Sequence, residues 1–307
     1  MAYAPEMILE RSIEMEPDLY ELELSGEPVE FYYDLADFRG EGGKTALELY
    51  YGIPSGEMSY DPTADDPVSR VECAFALASA DNGKIIRSSE EIVYRGTGAE
   101  RGAVVLQQLN TELNPGTYEL QVQLHDLLSD RRGLYRQQVE IKDYRSEDLL
   151  ISDIQLAYTI GDTGASHRFK KGDVWIVPMP TRAYDGDQNV YAYFEIYNLR
   201  KNEYGQTQYR AEYSVRSAEK RTVGIIGTMA KGFRYLFSGR KPSVSVTYDQ
   251  SGTESSEREY VEIDLTRARP GLNALKVTIH DLESGEAVTR EVRFVYGEPQ
   301  RGLGSRN

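Results

Sequence analysis

Pro115-Gly116-Thr117-Tyr118-Glu119-Leu120-Gln121-Val122-Gln123-Leu124-His125-Asp126-Leu127 aligns without a gap on Pro270-Gly271-Leu272-Asn273-Ala274-Leu275-Lys276-Val277-Thr278-Ile279-His280-Asp281-Leu282. In both copies Pro-Gly makes a turn. Leu120, Val122 and Leu124, and likewise Leu275, Val277 and Ile279, then fall at every second position. Alternate residues of a strand share a face, so each copy reads as a strand with one apolar side. Val122 and Val277 are expected in a core, and Gln121, Gln123, Lys276 and Thr278 on the opposite, wetter face. His-Asp-Leu ends each strand and opens a hairpin. A second strand follows in each case, Gln137–Ile141 and Glu291–Val295. An internal repeat of this kind marks a duplicated structural unit.

Outward from the repeat, short runs alternate apolar and polar residues and are broken by Gly, Pro, Asn and Asp. They are Ala46–Tyr51, Val71–Leu77, Tyr191–Tyr197, Tyr209–Val215, Val244–Tyr248 and Tyr260–Leu265. This patterning predicts antiparallel sandwiches rather than βαβ units. A weaker match pairs Leu47-Glu48-Leu49-Tyr50 with Phe194-Glu195-Ile196-Tyr197. The fold expected is all-β: two tandem immunoglobulin-like antiparallel β-sandwiches meeting near Tyr144–Leu149. The domains expected are a lead-in over 1–28, with an edge strand at Leu19–Leu24, sandwiches over 29–146 and 147–297, and a flexible tail over 298–307.

Gly224–Phe237 interrupts the strand pattern. Ile225, Met229, Phe233 and Leu236/Phe237 recur at helical spacing among Lys220, Arg221, Lys231, Arg234, Arg240 and Lys241. This predicts a short helix or an ordered loop across one open end of the second sandwich. The functional alternative is an amphipathic element facing a partner or a membrane, which makes Lys231, Phe233 and Arg234 candidate partner-binding residues. Gly224 and Gly227 argue against a long free-standing helix.

Of the 307 residues, 40% are hydrophobic and 28% charged, which supplies a core and excludes a disordered chain. The 23 Tyr, against 8 Phe and 1 Trp, lean toward strand. No apolar run approaches the roughly 18 residues of a membrane span. The net charge of −15 lies entirely in residues 1–146, with 28 acidic and 13 basic residues, while residues 147–307 hold 22 of each. That half repels nucleic acid and anionic membrane. The acidity reads as solubility or as attraction to a basic partner. Cys73 is the only cysteine, so neither an intrachain disulfide nor a cysteine-based zinc site is possible. Residues 1–10 lack the apolar core of a signal peptide. A cytoplasmic protein and a periplasmic or extracellular processed form or fragment both stay open.

The run Leu-x-Pro-Gly-x-Tyr-x-Leu-x-Val-x-Leu-x-Asp over Leu113–Asp126 resembles the sixth strand of many bacterial immunoglobulin-like domains. There the tyrosine is a corner residue whose hydroxyl ties back to the backbone. Asn273 replaces it in the second copy. At longer range the chain resembles the β-rich region of bacterial GWxTD domain-containing proteins. The matching stretches are Leu49-Tyr50-Tyr51-Gly52-Ile53-Pro54, Ile151-Ser152-Asp153-Ile154-Gln155-Leu156-Ala157, Pro178-Met179-Pro180-Thr181-Arg182, Tyr193-Phe194-Glu195-Ile196-Tyr197-Asn198-Leu199 and Val244–Tyr248 through Gly271. The resemblance spans most of residues 30–297, without the Gly-Trp-x-Thr-Asp signature; the single tryptophan, Trp175, lies in Asp173-Val174-Trp175-Ile176. It implies an envelope or exported bacterial protein.

Chemistry is sparse. The histidines are His125, His167 and His280, two of them followed by Asp. Neighbours on a strand point to opposite faces, so Asp126 and Asp281 are poorly placed to orient the histidines beside them as a triad requires. Their duplication argues for a structural role. No nucleophile elbow, phosphate loop or zinc-protease motif occurs. Asp185, Asp187 and Asn189 have the spacing that opens a calcium loop, but Val190 and Ile196 stand where its Gly and Glu belong. The expectation is a polar hairpin with no metal and no cofactor. Tyr191, Tyr193 and Tyr197 share one face of their strand; exposed, they form a platform for sugar or protein, and buried, they are core. The reading is a non-catalytic interaction or scaffold module with protein partners and no nucleic acid; the alternative is a carbohydrate-binding module using the tyrosine face.

Overall fold

A computed structural model describes residues 27–63, 67–95, 103–162, 168–185, 188–217, 226–229, 233–234, 245–265 and 270–297. The chain divides between Asp143 and Tyr144 into two compact units. Among the described residues, every pairing between strands is antiparallel except a two-residue parallel pairing of Ala183–Tyr184 with Val295–Tyr296.

The first unit contains β1 (Tyr32–Arg39), β2 (Thr45–Pro54), β3 (Val68–Ser79), β4 (Ile85–Arg95), β5 (Val104–Leu113), β6 (Gly116–Asp126) and β7 (Arg132–Ile141). They form a three-stranded sheet, β1-β2-β5, and a four-stranded sheet, β4-β3-β6-β7. Period-two burial creates the interior between them. Leu47, Leu49, Tyr51 and Ile53 of β2 meet Val71, Cys73, Phe75 and Leu77 of β3 and Leu120, Val122 and Leu124 of β6 in one apolar cluster.

The second unit contains β8 (Leu150–Ile151), β9 (Gln155–Asp162), β10 (Lys170–Lys171), β11 (Val174–Pro178), β12 (Ala183–Tyr184), β13 (Val190–Tyr197), β14 (Thr207–Ser217), β15 (Ile226–Met229), β16 (Phe233–Arg234), β17 (Ser245–Gly252), β18 (Glu257–Asp264), β19 (Gly271–Asp281) and β20 (Ala287–Tyr296). One sheet runs β10-β11-β9-β13-β18-β15-β16 with β8 beside β13, the other β12-β20-β19-β14-β17. Within them lies the order of the first unit: β9-β13-β18 answers β1-β2-β5, and β17-β14-β19-β20 answers β4-β3-β6-β7. The additions β10, β11, β15 and β16 extend the edges of the first of these sheets. Ala192, Phe194 and Ile196 of β13 and Val261 and Ile263 of β18 pack against Ala211, Tyr213, Leu275, Val277 and Phe294.

The repeat lies on β6 and β19. Val122 and Val277 are both fully buried, while Gln121, Gln123, Lys276 and Thr278 are half-buried on the other face. Gly116 and Gly271 enter their strands at φ 145° and 124°, a region closed to side chains, which accounts for Pro-Gly in both copies. The Tyr118 hydroxyl donates to the Asn114 carbonyl at 2.9 Å and closes the corner. Asn273 folds back locally instead, its amide donating to the Gly271 carbonyl at 2.8 Å.

The helical spacing over Gly224–Phe237 does not yield a helix where the chain is described. Ile226–Met229 pairs with β18, and Phe233–Arg234 with β15. The open edge of β18 offers backbone partners to a segment whose glycines disfavour helix, and pairing overrides the periodicity. Lys231 lies outside the described residues, as does the strand expected at Leu19–Leu24.

Candidate functional site

The two His-Asp pairs end equivalent strands and open equivalent hairpins. Asp126 N–H donates to the Arg131 carbonyl, and Asp281 N–H to that of Glu286, both at 2.9 Å. Leu127 and Leu282 donate to the carbonyls of Arg70 and Gln208, also at 2.9 Å. Each hairpin turns through a positive-φ residue, Asp130 at 59° and Gly285 at 78°. Both aspartates are buried. Asp126 Oδ1 accepts from Leu128 and Ser129 N–H at 2.9 and 3.3 Å, and Oδ2 from Ser59 N–H at 2.7 Å. Asp281 Oδ1 accepts from Glu283 and Ser284 N–H at 2.9 and 3.4 Å, and Oδ2 from Arg200 N–H and the Ser284 hydroxyl, both at 2.9 Å. Ser59 and Arg200 lie in the connections that precede β3 and β14. One carboxylate in each unit therefore caps a hairpin and pins a loop arriving from the opposite sheet. Burial alone would raise the Asp126 pKa, but the donors from Ser59, Leu128 and Ser129 outweigh it and hold the pKa below the ordinary carboxylate value.

The histidines face away from these aspartates. His125 Nε2 lies 2.7 Å from Asp130 Oδ1 and its Nδ1 3.9 Å from Glu72 Oε2, while His280 Nε2 lies 3.9 Å from Glu212 Oε2. These are contacts across and beyond a strand end, and neither Asp126 nor Asp281 orients a ring. His167 lies outside the described residues.

The tyrosine face of β13 is not a platform. Tyr193 and Tyr197 are 0% and 2% exposed and Tyr191 is half-buried, which removes the surface that the carbohydrate alternative required. Phe194 and Ile196 fill the interior on one side of the strand. On the other, Tyr144 packs edge-on against Tyr197 at 5.4 Å, and Lys171 Nζ sits 4.8 Å from the Tyr193 ring centre. The Tyr193 and Tyr197 hydroxyls donate to the two oxygens of Glu195 at 2.6 and 2.8 Å. The first unit repeats this feature: Tyr50 donates to Glu48, also two residues back, at 2.5 Å. Tyr191 donates to Glu262 at 3.0 Å; burial, then that carboxylate, push its pKa up to about 12.

In the candidate calcium loop, Asp187 lies outside the described residues. Asp185 N–H donates to the Gln188 side chain at 3.1 Å, and the Asn189 amide donates to Glu262. Among the described residues no cluster of three or more His, Cys, Asp or Glu could hold a metal. No helix among them is long and apolar enough to cross a membrane.

Glu259 is a buried carboxylate that the sequence reading did not single out. It lies on the interior face of β18 with Val261 and Ile263. It accepts from the Tyr209 hydroxyl and, at 3.2 Å, from the Gln250 amide. Burial, then the carboxylate charge, raise the Tyr209 pKa. The signal was available: Glu259 is in phase with the apolar residues of its strand.

Among the described residues, the outer face of β4-β3-β6-β7 carries an open trough. Register places Arg87, Ala76, Gln121 and Arg136 in one row across the four strands, and Ile85, Ala78, Glu119 and Gln138 in the next. The small alanines leave a trough of about 730 Å³ between longer side chains.

No family model and no curated protein matches the chain. Solved structures match the chain, among them three with low TM-scores. A serine-rich repeat protein of Streptococcus agalactiae is 12% identical, with 90% of this chain and 96% of that one covered and a TM-score of 0.26. The C-terminal domain of the AgI/II polypeptide BspA of S. agalactiae is 9% identical, with 87% and 99% covered and a TM-score of 0.24. Escherichia coli alpha-2-macroglobulin is 10% identical, with 89% of this chain but 22% of that one covered and a TM-score of 0.23. Similarity at this level assigns no role.

Proposed function

We propose that the chain is a non-catalytic interaction or scaffold module of a bacterial envelope or exported assembly, built from two tandem immunoglobulin-like sandwiches. The observation that carries this reading is the paired hairpin. In the His-Asp pairs, the one catalytic candidate legible in the sequence, the aspartate is spent in both units on holding a loop to a strand end, and the histidine faces away from it. The immunoglobulin-like description is supported by the three-plus-four strand order present in each unit and by the tyrosine corner of the first. The envelope or exported setting rests on the resemblance to the β-rich region of GWxTD domain-containing proteins. The contact surface proposed is the open outer face of β4-β3-β6-β7, where Ala74, Ala76 and Ala78 let a protein partner approach the sheet closely.

A photo-crosslinking amino acid at Gln121, introduced in the cells that make the protein, tests this. Irradiation is expected to give discrete adducts at Gln121 and none at Tyr204, which is 78% exposed on the second unit. Equal labelling at both positions, or none at Gln121, would overturn the assignment of the face. Turnover of any ester, phosphoester or glycoside that is abolished by His125→Gln would overturn the non-catalytic reading.

A further inference from the structure

We propose that the free edge of β4 is a self-association edge. A second copy of this chain adds its own β4 antiparallel, with Ser89 facing Ser89 across a two-fold axis. This goes beyond the reading above and stands whether or not the outer face binds another protein.

β4 is 11 residues long and ends the sheet order β4-β3-β6-β7. It pairs with β3 from Ile85 to Arg95 without a register shift and, among the described residues, with no other strand. Long flat edges invite pairing with another chain, and proteins usually blunt them with proline, a bulge, charged side chains or brevity. β4 has no proline, lysine or bulge and is not short; its guards are the charges Arg87, Glu90, Glu91 and Arg95, and a partner strand must match them. It also leaves two large apolar side chains in water, Ile85 and Val93, 50% and 49% exposed.

The sequence of the strand selects one register. In antiparallel pairing, directly opposed residues share a face, so a strand pairing with its own copy must set one residue against itself. With Ser89 at the centre, Ile85 opposes Val93 of the copy and Arg87 opposes Glu91, each twice. Both exposed apolar residues are covered, Arg87 and Glu91 are matched, Glu90 faces Ser88, and Ile86 meets Ile92 on the other face. Neighbouring registers lack this agreement. A centre at Glu90 or Glu91 sets a carboxylate against itself, and one at Ser88 opposes Ile85 to Glu91 and Ile86 to Glu90. Like charges directly opposed are unfavourable, and opposite or apolar pairs favourable. Glu91 already meets Arg70 at 2.5 Å on the outer face, which holds its carboxylate at the row that Arg87 of the copy would join. The contact is isologous and closes as a dimer rather than a fibre. It doubles the four-stranded sheet.

Sedimentation velocity on the full chain, over a micromolar concentration series, should show a mass moving toward two copies. Arg87→Glu alone and Glu91→Arg alone each place two like-charge pairs in the interface and should weaken dimerisation about tenfold or more. An equimolar mixture of the two variants should restore it, because every 87–91 pair is then opposite in charge. Ser89→Cys should form a disulfide-linked dimer under mild oxidation, since directly opposed Cα atoms lie within disulfide range; Glu90→Cys should not. A parent chain monomeric throughout, a dimer insensitive to both charge variants, or a mixture that fails to re-form it would overturn the proposal. If a charge variant loses its β circular dichroism, the Ser89→Cys linkage decides alone.

Discussion

Asp126 and Asp281 each satisfy several donors with one buried carboxylate and join two sheets that backbone pairing does not join. Asp126→Asn keeps the volume but replaces one acceptor with a donor, which then faces an N–H. The expected cost is roughly 1–3 kcal/mol, as for other lost charge-assisted bonds in buried sites, read as a lower urea midpoint with unchanged slope. The same reasoning fixes a pH dependence. The folded pKa of Asp126 is lowered, so its stabilisation is present above the unfolded carboxylate value of about 3.9 and is lost as pH falls through the folded value. The parent should therefore lose stability on acidification below about pH 4 more steeply than Asp126→Asn. Parallel acid profiles would mean that the carboxylate is not the group titrating.

At the scale of elements, strands whose two faces differ were legible in the sequence. Val122 with Leu120 and Leu124, and Val277 with Leu275 and Ile279, fixed the inward face of β6 and β19 by alternation alone, and the burial agrees. Truncating either valine to Ala should cost roughly 1–3 kcal/mol through lost burial and a cavity. Gln123→Ala and Thr278→Ala should stay within about 0.5 kcal/mol. A denaturant series that reverses this order would put the core on the other face. Elements without such contrast went unread. β4, Ile85-Ile86-Arg87-Ser88-Ser89-Glu90-Glu91-Ile92-Val93-Tyr94-Arg95, interleaves charge on both faces because it is an edge with little to bury. β1 is hard to read for the opposite reason, since Ala36, Asp37 and Phe38 are buried in succession. The short helix or ordered loop expected over Gly224–Phe237 came from a true 3.6-residue recurrence, and where the chain is described the segment pairs instead with the open backbone of β18. As for the sites, period-two spacing correctly put Tyr193 and Tyr197 on one face, but what covers that face comes from Tyr144 and Lys171, distant in sequence.

At the scale of the whole molecule, the question is where the chain can be cut. Lys142 belongs to the first unit: its ammonium and its N–H both reach the buried Asp37 carboxylate at 3.1 Å, and its carbonyl accepts from the Thr45 hydroxyl at 2.6 Å. Tyr144 belongs to the second, packed against Tyr197, and the Asn198 amide donates to the carbonyls of Ser146 and Asp148 at 2.7 Å. Each unit also closes its own apolar cluster. Fragments cut between Asp143 and Tyr144 should therefore each show β circular dichroism and one cooperative melt. A cut after Ser146, the boundary expected from the sequence, strips Tyr144 and the Ser146 carbonyl from the second fragment. It exposes Tyr197 and leaves a side-chain donor short of one acceptor. Burial of an aromatic ring and one hydrogen bond are each worth about 1–3 kcal/mol, so the fragment beginning at Glu147 should melt several degrees below the one beginning at Tyr144. The first fragment should be indifferent to the same change. Equal melting of the two second-unit fragments would show that Tyr144 contributes nothing to that unit; failure of both halves to fold would show that the two cores depend on each other.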